Sequence, residues 1–354
     1  AERARAYLTE KARECKIKAD TKLLNNLKDG NSYHIAELNR WFDEWYTDKL
    51  HTVVYSQYKD VKTAKAEIVK AAPKGNASAE LREMIGLDSA KEVIENAVNF
   101  FKMQKLYSEK GINANRPSMH MVFTGNPGTA KTTVARLFAQ IMKDNGLLSK
   151  GDLYEVGRAD IVGQFVGSTA PLVKKHFKMA KGSVLFIDEA YSLVDDRNGL
   201  YGDEAINTIV QEMENNRDDL VVIFAGYPDK MEEFLNKNPG LRSRIAFHVS
   251  FDDYSTDELI DIADLMIKKT GFEFDEEAHK KLNRVFDAAR EKHDFGNGRY
   301  VRNLVELSTL KQASRLVKSD IDSLTDAEMR TITESDIAAP ILSHDDEISA
   351  AIGF

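Results

Sequence analysis

The sequence predicts an α/β fold: a parallel five-stranded sheet with helices on both faces, preceded by an N-terminal helical hairpin and followed by a C-terminal helical region. Two observations carry this reading. Between residues 80 and 251, short apolar runs alternate with amphipathic helical stretches, the pattern of parallel strands joined by crossover helices. Before Pro73 and after Asp252 only apolar spacings of three and four residues remain, which describe helices and no strands.

In chain order, Leu8, Ala12, Cys15, Ala19, Leu23 and Leu27 outline one amphipathic helix over residues 1–28, stopped by Asp29-Gly30. A second runs from near Ser32 through Leu38, Trp41, Phe42, Trp45, Leu50, Val53, Tyr58 and Val61 toward Ala72. Pro73 ends it, and PKGNAS (73–78) reads as the boundary to the next domain. The i, i+4 pair Trp41 and Trp45 reads as core packing, with a partner-docking surface as the alternative. The five strands are placed at MHMVFTG (119–125), DLYEVG (152–157), SVLFID (183–188), LVVIFAG (220–226) and IAFHVSF (245–251). Helical patterning then continues through ELIDIADLMIKK, EEAHKKLNRVFDAAREK and NLVELSTLKQASRLVK. The expected domains are thus 1–78, 79–251 and 252–354.

Bulk composition narrows the function classes. The longest apolar runs fall well short of the roughly 20 residues of a membrane span, and AERARAYLTEKARECK is too charged for a secretory signal, so a soluble, cytoplasmic protein is expected. The single cysteine, Cys15, has no second cysteine with which to form a disulfide or share a metal. A net charge of −8 argues against a general nucleic-acid coat, while leaving room for a local basic strip.

Chemistry enters at GNPGTAKTT (125–133), between an apolar strand and the helix TTVARLFAQIMK. A phosphate site needs backbone N–H groups at a helix N-terminus and one cation against the terminal phosphates. Asn126, Pro127, Gly128, Thr129, Ala130, Lys131, Thr132 and Thr133 supply that pattern for ATP. Lys131 would reach the β- and γ-phosphates, and the Thr132 hydroxyl would bind Mg²⁺. Ala130 stands where the usual pattern has glycine; a methyl is the smallest addition, and alanine is a good residue at a helix start. A second apolar strand ends in Asp188-Glu189. Beside the phosphate loop, Asp188 would hold the metal's water shell and Glu189 would act as general base on the attacking water.

Together GNPGTAKTTVA, LFIDEAYSL and NPGLRSRIAFHV resemble the AAA+ ATPases, in particular the CbbX/SpoVK-like (CbxX/CfqX) family, over about residues 80–337. LYGDEAI (200–206) and NNRDDLVVI (215–223) are similar to segments that family favours. Replicative MCM helicases also carry alanine at the place of Ala130. The resemblance implies that Ile85 and Gly86 pack on adenine, with an ordinary helix start as the alternative. It implies that Arg244 is an arginine finger reaching a neighbouring subunit, with Arg242 in reserve, and that Arg299 of GNGRYVRN contacts phosphate from a helical lid. Arg302 is read as a partner of acids at the domain interface. Generic members carry Asn at the fourth strand's end, where FAGYPDK places Tyr227, either a hydroxyl donor or a packing residue. Phe165 and Val166, in GQFVGST, fall where related remodelling enzymes carry a client-gripping pore loop; packing beneath its own loop is the alternative for Phe165.

The resemblance therefore implies a Mg²⁺-dependent ATPase, completed at the subunit interfaces of a homo-oligomeric ring, a hexamer, that remodels a protein client. Rubisco activation is one such activity. A nucleic-acid motor or clamp-loader-like protein and an ATP-gated scaffold without turnover are the alternatives. The acidic balance disfavours the first, and the Asp188-Glu189 pair disfavours the second.

Overall fold

All five apolar runs are strands in the computed structural model: β1 (His120–Gly125), β2 (Leu153–Val156), β3 (Val184–Ile187), β4 (Val221–Gly226) and β5 (Ile245–Phe251). They pair in parallel in the order β2-β3-β4-β1-β5. The structure describes residues 2–14, 20–24, 27, 33, 38, 41, 42, 45, 76–112, 118–163, 165, 167–194, 200–292, 295–318 and 324–338. The chain divides into two units, 1–65 and 66–354.

In the first unit the single helix expected over 1–28 is broken. A helix covers Glu2–Glu14, and a separate turn covers Thr21–Leu24. Asp20 starts the second piece because its Oδ1 accepts from the Leu23 amide (3.1 Å), a local bond that competes with helix continuation. The same oxygen accepts from Trp45 Nε1 at 2.9 Å. Leu8, Ala12, Leu23, Leu27, Leu38, Phe42 and Trp45 form one buried cluster. Trp41 is half-buried, edge-on to Tyr33 at 5.5 Å. Trp45 is therefore core. Cys15 and most of the second expected helix lie outside the described residues.

In the second unit the sheet is buried on both faces, and side-chain alternation sorts each strand between two cores. Met121, Phe123, Val184, Phe186, Val221 and Ile223 face the helices Asp88–Glu109 and Lys131–Asp144. Val122, Leu185, Ile187, Val222 and Phe224 face Thr169–Ala180, Leu200–Asn215 and Pro228–Lys237. Because β4 lies between β1 and β3, the chain segments leaving three adjacent strands emerge side by side at one edge. That is where parallel sheets place ligands.

A buried histidine is built into this sheet. His120 is fully buried at the start of β1; its Nδ1 accepts from the Val222 amide at 2.9 Å, so Nε2 carries the proton and donates to Met213 O at 3.3 Å. β1, β4 and the Leu200–Asn215 helix are thereby tied together.

The C-terminal region departs from the all-helical expectation in one respect. Helices Thr256–Lys269, Glu276–Arg290 and Asn297–Leu316 dominate, but β6 (Glu273–Phe274) and β7 (Thr331–Ile332) pair in parallel. Strands of two residues are too short to show a period in sequence. Asp336, fully buried, receives Arg315 Nη2 at 2.8 Å and closes the lid's last turn onto its long helix.

Burial is the main cause holding His120 down at about 4, from an ordinary 6.5. A histidine neutral in the fold and protonatable when unfolded takes up a proton on unfolding between those values, so stability falls as pH drops from 6.5 toward 4. The full effect is about 3 kcal/mol. Urea unfolding at pH 7 and pH 5 should show a steeper acid loss for the parent than for His120→Gln, by up to one proton. Equal slopes would contradict the assignment.

Candidate functional site

The segments leaving β1, β3 and β4 meet the lid around one cavity of about 440 Å³. Its polar lining comes from Gly125, Pro127, Gly128, Ala130, Lys131, Thr132, Thr133, Asp188, Glu189, Gly226, Tyr227, Gly298, Arg299 and Arg302. Met84, Ile85, Tyr254, Ile262, Leu265 and Met266 supply the largely apolar part.

The loop's shape follows from two left-handed residues, Gly128 at φ 76 and Ala130 at φ 64. Ala130 is the N-cap of the Lys131–Asp144 helix, so glycine is usual here for its backbone freedom. The helix-start preference of alanine is not the relevant property. An L-residue in this conformation costs about 1–2 kcal/mol, which the packed helix tolerates. Buried Val134, Phe138 and Ile141 seat that helix against the sheet. Thr129 is fully buried and donates to Asn126 O at 2.8 Å, closing the turn from beneath. Asn126 and Thr129 brace the loop without lining the cavity.

Lys131 Nζ donates to Gly125 O at 2.8 Å and Asn126 O at 2.7 Å. Burial lowers its pKa to about 8, with Asp188 pulling upward, Arg299 downward and Asp253 upward. Its charge is thus parked on carbonyls of its own loop at one wall of the cavity.

Glu189 has a left-handed backbone, φ 47, and its amide donates to Asp188 Oδ1 at 2.9 Å. Strain at a non-glycine residue of this kind is concentrated at functional sites; here it turns the chain so that both acids line one cavity. The acidic character extends to Glu155 on β2, whose carboxyl is pushed up by burial and by Asp188. Hard oxygen donors at Thr132 and Asp188 suit a magnesium ion whose remaining ligands are phosphate and water.

In the apolar part of the lining, Ile85 faces the cavity and Gly86 does not. Gly86 has φ 60 and packs so closely on Glu258 and Tyr254 that a Cβ would collide with the Glu258 carboxylate. Tyr254, Ile262, Leu265 and Met266, all missed in the sequence, complete this wall. Burial, reinforced by Glu258, raises the Tyr254 phenol to about 12, so it remains neutral. Arg302 lines the cavity beside Arg299, where a domain-interface ion pair was expected.

Other expected residues stand elsewhere. Arg244 is outside the cavity, with Nε 3.5 Å from Glu214 Oε2 and Nη1 donating to Gly240 O at 3.1 Å. Arg242 Nη1 donates to Asn236 Oδ1 at 2.6 Å. Tyr227 lines the cavity and lies tilted at 50° to Tyr191, ring centroids 6.0 Å apart, with the Lys230 ammonium over both rings. Phe165 is 75% exposed, which removes the alternative that it packs under its own loop. Ser168 Oγ accepts from its amide (3.2 Å) and donates to its carbonyl (2.6 Å), and Gly167 has φ 78. Val166 lies outside the described residues.

The lowered Lys131 value generates a pH test. Nucleotide affinity should weaken by about fivefold between pH 8 and 9 as the ammonium loses its proton. Lys131→Arg, whose charge persists, should flatten the slope in a fluorescent-nucleotide titration; an unchanged slope would contradict the assignment.

Comparison with known proteins agrees with this architecture. Residues 121–252 match the model of the ATPase family associated with various cellular activities (AAA), and residues 255–347 match the AAA lid domain. The chromosomal CbxX protein of Cupriavidus necator is 46% identical over 259 residues, 73% of this chain and 82% of that protein. CbbX of Cereibacter sphaeroides is 44% identical over 73% of this chain and 84% of its own. The chloroplastic ribulose bisphosphate carboxylase/oxygenase activase of Cyanidioschyzon merolae is 44% identical over 72% of this chain and 88% of its own. The FIGL-1 AAA domain bound to ADP superposes with a TM-score of 0.52 at 20% identity, covering 76% of this chain and 88% of that one, and shows the same fold. On these matches, together with the site, the chain belongs to the CbxX/CbbX/CfxQ family of AAA ATPases.

Proposed function

We propose that this protein hydrolyses ATP with magnesium at the interfaces of a homohexameric ring, in the cytoplasm or an equivalent plastid compartment, and uses the cycle to remodel a protein client, a ribulose bisphosphate carboxylase/oxygenase. The observation that carries the reading is the meeting of Lys131, Thr132, Asp188, Glu189 and Arg299 around one lid-covered cavity. The client assignment rests on the activase relative and on the exposed Phe165.

The adenine lies on the apolar wall of Ile85, Tyr254, Leu265 and Met266. Lys131 exchanges the carbonyls of Gly125 and Asn126 for β- and γ-phosphate oxygens and compensates their charge. A magnesium ion, held by Thr132 and through water by Asp188, would neutralise charge developing on the phosphates. Glu189 orients the attacking water and receives its proton. Arg299 contacts the γ-phosphate from the lid, and loss of that phosphate frees the lid to rotate.

Arg244 acts on a neighbouring subunit's phosphate. In the isolated chain it is held by Glu214 and Gly240, so engagement in the ring exchanges a half-exposed ion pair for a phosphate contact. The remodelling reading is favoured over a nucleic-acid motor by the net charge of −8 and by an aromatic residue at the loop's exposed position.

Two inactive variants test the shared site together with the client. Arg244→Ala should lower turnover toward the 10³- to 10⁵-fold loss of an arginine finger. Mixing it with Glu189→Gln should recover activity at mixed interfaces; no recovery in demonstrably mixed rings would contradict a site completed in trans. Parent protein with ATP should restore carboxylation by an inactivated ribulose bisphosphate carboxylase/oxygenase, whereas Phe165→Ala should hydrolyse ATP at the basal rate and fail to restore it.

A further inference from the structure

Between the phosphate loop and the lid lies a hydrogen-bonded cluster that takes no direct part in the chemistry above. Asn297, the first residue of the 20-residue lid helix, is fully buried and left-handed, with φ 48. Its Nδ2 donates to Asp253 Oδ1 at 2.7 Å and approaches Pro127 O at 3.4 Å, while its Oδ1 accepts from the Tyr254 amide at 3.1 Å. From the other side, Asn126 Nδ2 donates to Asp253 Oδ1 at 3.1 Å and Oδ2 at 2.9 Å. One carboxylate, at the hinge between core and lid, thus receives the amides of both the phosphate loop and the lid helix.

The backbones also touch. Gly298 N donates to Gly128 O at 3.2 Å, and a Cβ on Gly128 would collide with Gly296 O and Arg299 N. Gly128 therefore allows a contact that a side chain would exclude, and a Cβ on Gly298 would be tight against Gly128 O at 3.0 Å. Arg299 follows one residue later and lines the cavity. A buried amide whose donors and acceptor are all engaged has one orientation, and charge-assisted bonds to Asp253 hold it there.

We propose that Asn297 is a positioning residue: with Asp253 and Asn126 it latches the phosphate loop to the N-terminus of the lid helix and so aims Arg299 at the phosphate end of the cavity. The latch makes the lid respond to the shape of the loop, and it makes Arg299 read the γ-phosphate only while loop and lid are joined. This rests on the reading of the cavity as an ATP site.

Asn297→Gly tests it, because glycine keeps the left-handed backbone and deletes the amide. The expected result is a fall in kcat of about tenfold or more, with ATP losing its affinity advantage over ADP. ADP affinity should stay within about threefold of the parent, since the phosphate loop itself is intact. Asn297→Asp sets two carboxylates face to face and should be as impaired. Pairing Asn297→Asp with Asp253→Asn restores one donor and one acceptor across the hinge, and should recover most of kcat and of the ATP-over-ADP preference.

Three outcomes overturn the proposal: parent-like kcat and preference in Asn297→Gly, a swapped double variant no better than Asn297→Asp, or loss of ADP binding in step with a collapse of melting temperature in both. Arg299→Ala separates this failure from failure of the underlying reading. If Arg299→Ala loses the ATP preference while Asn297→Gly keeps it, the latch alone is wrong. If Arg299→Ala also keeps it, the assignment of the cavity's phosphate end is wrong.

Discussion

The phosphate loop must bend left-handed twice within three residues while keeping a half-buried lysine charged. Almost everything else in the larger unit serves that constraint. Gly128 and Ala130 make the bends, and Thr129 closes them from within. Lys131 keeps its charge through loop carbonyls and the field of Asp188. The helix that begins at Lys131 is seated by Val134, Phe138, Ile141 and Met142 in one of the two cores that flank the sheet, so the local strain of Ala130 is absorbed by packing distributed over many side chains.

Much of this was legible in the sequence because the relevant signals are local. Strands buried on both faces read as continuous apolar runs, and all five were found within a residue or so of their ends. The phosphate loop and the Asp188-Glu189 strand end have fixed spacing, and the cavity brings them together. What the sequence obscured is non-local. Ile262, Leu265 and Met266 look like ordinary amphipathic-helix residues. The signal available was a surplus: Leu259, Ala263 and Ile267 already supply the buried face of that helix, leaving a second apolar face without an obvious occupant. Asn297, flanked by Gly296 and Gly298, carried a similar unread cue, since paired glycines around a polar residue mark a close backbone approach. The short strands β6 and β7 and the break at Asp20 escaped because a two-residue strand has no period, and because a single capping bond overrides helical spacing.

Physically, the site divides labour between groups that hold charge and groups that transmit its loss. In the proposed function Lys131 and the metal ligands meet the phosphates from the core and Arg299 meets them from the lid, while one hinge segment, Asp253-Tyr254, touches both the loop side and the apolar wall. In the proposed cycle a change of one phosphate's charge alters contacts on both sides of that hinge. In the same proposal the exposed Phe165, on a loop leaving the same sheet, is the apolar side chain that such a motion would carry against the client.

The central claim, that this cavity binds ATP through Lys131 and hydrolyses it through Glu189, is tested most directly by measuring ATP affinity and single-turnover phosphate release on the same preparations of Lys131→Ala and Glu189→Gln. Lys131→Ala should lose tight ATP binding, because the loop then lacks its cation. Glu189→Gln should bind ATP within about threefold of the parent and release phosphate at least about a hundredfold more slowly. Parent-rate phosphate release by Glu189→Gln, or parent-like ATP binding by Lys131→Ala, would contradict it.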